Sequence, residues 1–191
     1  MGKLLILGGP SCSGKTSIKN KIVSMFPIKF KKLITVTTRP ERLNETHGED
    51  YYFLSDYEFD WRLYREEFVE HNEYTGMKYG VLKESIDHIK NHHSITVAVM
   101  DLNGVKKMKE YLGKENVVSV YVDVSEQTIN NRLKDRGESK EEIKKRIEKA
   151  ISEEMTPEYK NNFDFIIENE KQTIESSVFQ IIDSLIKKHN E

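Results

Sequence analysis

Gly9-Pro10-Ser11-Cys12-Ser13-Gly14-Lys15-Thr16 follows directly on the apolar run Leu4-Leu5-Ile6-Leu7 and leads into Ser17-Ile18-Lys19-Asn20-Lys21-Ile22-Val23. The apolar run is short and bounded by glycine, as a buried strand is, and Ile18 with Ile22 suit one face of a helix. The eight residues between them are a complete G-x-x-x-x-G-K-[ST] phosphate loop, in the strand–loop–helix context that gives the pattern meaning. Glycines let the backbone wrap an anion with its N–H groups pointing inward at a helix N-terminus. Lys15 adds a charge for the outer phosphates, and the Thr16 hydroxyl suits a Mg²⁺ ligand. All eight positions, Gly9, Pro10, Ser11, Cys12, Ser13, Gly14, Lys15 and Thr16, are therefore assigned to a nucleoside triphosphate, expected to be ATP with Mg²⁺.

Working outward, apolar strand-like runs recur at Leu33–Val36, Ile95–Met100, Val117–Val122 and Phe163–Ile167. They are β-branched and continuous, as parallel strands buried on both faces are. Helical spacings separate them, at Val81–His92, Asn103–Leu112 and Thr173–Lys188. This alternation predicts an α/β fold, an open parallel sheet flanked by helices, with ligands at the carboxyl ends of the strands. Two stretches interrupt it. Thr37–Gly80 is polar and aromatic, with short strand candidates around a helix opened by a Ser55/Glu58 capping box, and reads as an inserted subdomain. Ser125–Met155 reads as two charged helices around Arg136-Gly137, the second opened by Ser139 and Glu142.

Composition narrows the function. The 191 residues carry 30 Lys+Arg against 32 Asp+Glu, a net charge of −2, which lacks the basic excess of a nucleic-acid binder. No run approaches the roughly 20 apolar residues that span a bilayer, so no membrane role is expected. The N-terminus enters the first strand without a leader-like segment, and one cysteine excludes an intramolecular disulfide. A cytoplasmic protein, monomer or homodimer, is expected. Cys12 reads as a small residue tolerated in the loop, and adjacent His92-His93 as solvated side chains without ligand spacing.

Arg39 and Arg42, three apart, with Tyr51 shortly after, suit the grip of a phosphate monoester, although arginines in a surface turn are common. Glu70 and Tyr79 extend the same pocket, since a carboxylate there accepts two hydrogen bonds from purine N–H groups. Asp101, after an apolar strand, reads equally well as a helix cap.

Taken in order, Gly9–Thr16, then Thr37-Thr38-Arg39-x-x-Arg42-x-x-Glu45-x-x-Gly48-x-Asp50-Tyr51-x-Phe53, then Phe68-x-Glu70, Tyr79-Gly80, Asp101-Leu102-Asn103-Gly104 and Arg132-Leu133-x-x-Arg136-Gly137, the chain resembles the guanylate kinase family over nearly its whole length. The resemblance implies a P-loop core of residues 1–34, 84–124 and 156–191, a GMP-binding insertion at 35–83 and a helical lid at 125–155. It implies ATP-dependent phosphorylation of GMP and dGMP, with Lys15, Arg42, Arg136 and Arg146 as catalytic residues. Arg39, Arg42, Tyr51 and Tyr79 would bind the acceptor phosphate, Thr35 and Glu70 would face the guanine, and Asp101 would lie near the base and the metal–nucleotide cleft. Arg132 and Asn169 would serve ATP, Asn169 by meeting the adenine. The chain departs from the family pattern at Val81, where a hydroxyl residue is usual, at Val99, where an acid is usual, and at Pro40 and Asn44 in the arginine turn. A kinase of this fold with another acceptor, or a non-catalytic protein-binding module, are the alternatives.

Overall fold

A computed structural model describes residues 3–43, 45–74, 76–90, 94–170 and 173–189. Asn44 and His92-His93 lie outside the described residues.

Five parallel strands form the main sheet: β1 (Lys3–Gly8), β2 (Phe30–Lys32), β7 (Ile95–Val99), β8 (Val117–Asp123) and β9 (Phe165–Glu168), in the order β2-β7-β1-β8-β9. Leu4 to Leu7 are wholly buried because the central strand is covered on both faces. On one face, α1 (Lys15–Met25) and α8 (Ile174–His189) pack Ile18, Ile22, Val178 and Ile181 against Leu5, Leu7, Val118 and Val120. On the other, α3 (Lys83–Lys90) and α4 (Leu102–Leu112) bring Ile86, Ile89, Val105 and Met108 onto Leu4, Ile6 and Tyr121. The architecture is the expected α/β sandwich.

A second, four-stranded sheet stands apart, in the order β4-β3-β6-β5, built from β3 (Thr35–Thr37), β4 (Tyr51–Phe53), β5 (Phe68–Tyr74) and β6 (Met77–Leu82). Helix α2 (Asp56–Tyr64) covers it by seating Phe59 on Phe68, ring centroids 4.5 Å apart. Both halves of the Ser55/Glu58 capping box are present at its start. Helices α5 (Glu126–Asp135) and α6 (Lys140–Lys149) form the charged hairpin, followed by a π-helical turn at Ala150–Glu154 and the short α7 (Pro157–Lys160). Ser139 caps α6 by accepting from the Glu142 N–H. Among the described residues no helix is long and apolar enough to cross a membrane.

Three element readings need correction. Leu33–Val36 is not one strand: the chain leaves the main sheet after Lys32 and joins the second at Thr35. Leu33 is apolar because it packs into the core beneath α3 at the crossing. The pattern from Val81 becomes helical only at Lys83, since Val81 and Leu82 finish β6. Phe163 precedes β9, and its buried ring fills the space beside Gly8, where a Cβ would fall 2.2 Å from a ring carbon.

Candidate active site

The phosphate loop runs from the end of β1 to the start of α1. Gly9 and Gly14 hold φ of +127° and +97°, and added Cβ atoms would lie 2.6 Å from the Val122 carbonyl oxygen and 2.4 Å from Asn169 Nδ2. Glycine is thus required twice, for conformation and for close approach. Lys15 Nζ folds back to donate to the carbonyls of Gly9 (2.7 Å) and Pro10 (2.6 Å) and to Ser13 Oγ (3.3 Å). Burial lowers its pKa to about 8; Glu154 and Cys12 oppose this, and Arg136 adds to it.

Three other units converge on this loop. The second sheet presents Thr35, Tyr51, Glu70, Asn72, Tyr79 and Val81 to the cleft; the core presents Val99, Asp101 and Thr16; the hairpin and the turn after it present Arg136, Arg146 and Glu154. Strand register sets the acceptor face, pairing Thr35 with Tyr51, Glu70 with Val81, and Asn72 with Tyr79. A register shift between Phe68 and Glu70 marks a bulge, a device that re-aims side chains beside sites. Gly80 permits it, because the Phe68 ring would lie 2.5 Å from any Cβ there.

Among the described residues two buried side-chain polar atoms have no hydrogen-bond partner, Glu70 Oε1 and Arg146 Nε. Glu70 is 8% exposed, and burial, with Asp101 adding to it, raises its pKa to about 7. Arg146 reaches Ser11 Oγ with Nη1 (3.2 Å) and Glu138 with Nη2 (3.5 Å). Native proteins seldom leave buried polar groups unpaired, so an orphan anion and an orphan cation in one cleft point to a ligand that completes them.

Several expected residues stand elsewhere. Arg39 does not line the cleft; its guanidinium is taken by both oxygens of Glu45 at 2.8 Å and lies 5.6 Å from the Tyr51 ring centroid. Glu45 also accepts from the Arg42 N–H, so it shapes the turn that leaves Arg42 in the cleft. Asn169 and Arg132 sit behind the loop. Asn169 donates to the Ser13 carbonyl (2.7 Å) and accepts from Ser177, while Arg132 donates to the carbonyls of Cys12 (3.0 Å) and Asn169 (2.8 Å). Pro10 and Ser13 are buried parts of the loop rather than lining. Asp101 fulfils its helix-cap reading, accepting from the Gly104 N–H at 2.8 Å, and also lines the cleft. Cys12 does more than occupy space: its side chain is buried in a small cluster with Val124, Ile129, Leu133, Ile143 and Ala150, which joins loop to hairpin.

Sequence reading missed Asn72 and Glu154. Alternation along β5 marks Asn72, two residues beyond Glu70. Nothing marks Glu154, because the π turn changes the helical phase before it; its carbonyl is pinned by the Tyr121 hydroxyl at 2.9 Å.

Phosphate loop, acceptor sheet and arginine-bearing hairpin around one cleft define a P-loop nucleoside monophosphate kinase. Comparisons with known proteins agree. The family model for guanylate kinase matches residues 1–188. Guanylate kinase from Malacoplasma penetrans is 31% identical over 170 residues, covering 88% of this chain and 86% of that protein. The Mesoplasma florum guanylate kinase is 29% identical over 97% of this chain, which spans only 61% of that longer relative. The crystal structure of guanylate kinase from Anaplasma phagocytophilum superposes with a TM-score of 0.73 at 27% identity, covering 98% of this chain and 86% of that one. The chain belongs to the guanylate kinase family.

Proposed function

We propose that this chain transfers the γ-phosphoryl group of ATP in line to GMP, and to dGMP, giving ADP and the diphosphate. The observation that carries the acceptor assignment is the buried, unpartnered Glu70 carboxylate at the base end of the cleft. An anion there accepts from the N1 and N2 hydrogens of guanine and finds an acceptor, not a donor, at N1 of adenine. Arg42, Tyr51 and Tyr79 bind the acceptor phosphate, with Arg39 bracing the turn against Glu45. On the donor side Lys15 leaves the loop carbonyls for the outer phosphates, while Arg132 and Asn169 hold the loop in shape.

Residues 35–83 act as the acceptor-binding insertion and 125–155 as the lid, whose Arg136 and Arg146 neutralise charge on the transferring group and exclude water. Mg²⁺ takes one or two protein oxygens beside phosphate and water, a demand that Thr16 meets with Asp101 nearby. The ion neutralises the β- and γ-phosphates. Positioning and electrostatics suffice without a covalent intermediate. A cytoplasmic monomer or homodimer fits a reaction that draws on free nucleotides.

The test is ADP release measured across a panel of nucleoside monophosphates. GMP and dGMP should lead, with AMP and CMP near background. Failure of both guanine nucleotides while another monophosphate reacts would move the chain to a different acceptor.

A further inference from the structure

Guanine offers three N–H hydrogens on the edge read by Glu70: one at N1 and two on the exocyclic amine. Two carboxylate oxygens answer two of them, and the third needs another acceptor, because an unmatched donor in a closed site is costly. Asp101 lines the same cleft, but it is a second anion close enough to Glu70 to raise that group's pKa. Left to themselves, two such carboxylates turn apart or share a proton.

Asn72 lies between these constraints. It shares a strand face with Glu70, and its Nδ2 donates to Asp101 Oδ2 at 2.9 Å, while Asp101 Oδ1 accepts from the Gly104 N–H. Both oxygens of Asp101 are thereby tethered, one to the core helix and one to the acceptor sheet, and each keeps a lone pair free. We propose that Asn72 is a positioning residue of the acceptor site, fastening Asp101 as the second carboxylate that reads the purine 2-amino group. The inference rests on the GMP reading above and deepens it.

The experiment compares kcat/KM for GMP and for IMP, which keeps N1–H and O6 but lacks the 2-amino group. In Asn72→Ala the value for GMP should fall about tenfold and that for IMP about twofold at most, with KM for ATP unchanged, the scale of one hydrogen bond to a charged group. Asn72→Asp, of the same shape but without the donor, should show the same collapse of preference and serves if the alanine variant folds poorly. An equal fall for both nucleotides, or an unchanged GMP/IMP ratio, would overturn the inference while leaving GMP kinase activity standing. A wild-type enzyme that turns over neither nucleotide would instead defeat the acceptor reading, and the inference with it.

Discussion

Glu70 shows what a functional residue costs the fold. Burial, with Asp101 adding to it, lifts its pKa from 4.5 to about 7, so the folded protein keeps a proton that the unfolded chain releases between those values. Stability is therefore lost as pH rises from about 4.5 to 7, and remains lost above that range. In Glu70→Gln the uncharged side chain removes this loss, so thermal unfolding should show the variant gaining on wild type between pH 5 and pH 8, by about 1–3 kcal/mol at the upper end. The same variant should lose about two orders of magnitude in kcat/KM for GMP, because an amide N–H would face the base donors. In the wild type, KM for GMP should fall as pH rises from 6 to 8 and the carboxylate ionises. A variant no more stable at pH 8 than at pH 5, relative to wild type, would rule out the burial account.

Among the elements, those set by local chemistry were legible and those set by packing were not. The Ser55 cap of α2 needs only residues four apart, and the phosphate loop needs only its own eight. The crossing at Leu33-Ile34 was misread because a buried crossing and a buried strand are equally apolar. The hairpin shows the same division. Its two helices follow from sequence periodicity and caps, whereas its attachment to the loop through Cys12 follows from packing. Arg146 is the residue by which this element acts on the cleft. Arg146→Ala should lower kcat about 10²–10³-fold, as loss of a preorganised charge donor does. It should leave the melting temperature nearly unchanged, since the Arg146 Nε has no partner to lose. Steady-state kinetics beside a melting curve separates the two effects.

At the scale of the whole molecule, three units enclose one cleft, and each is incomplete without ligand. Either nucleotide alone should stabilise the protein by about 2.7 kcal/mol at a hundred times its Kd. A non-hydrolysable ATP analogue and GMP together should raise the melting temperature by more than the sum of their separate shifts, because the lid and the acceptor sheet close on a shared site. Purely additive shifts in calorimetry would show that the two sites are uncoupled. The sequence by itself determined the α/β class, the phosphate loop and the identity of the chemistry-bearing residues, because buried parallel strands and anion loops are written in short contiguous patterns. Tertiary structure alone decided that Arg39 braces a turn, that Arg132 and Asn169 stand behind the loop, and that Asn72 and Glu154 enter the cleft. The physical reason is that a side chain's partner is set by register and packing between elements distant in the chain, and local sequence carries no record of that distance.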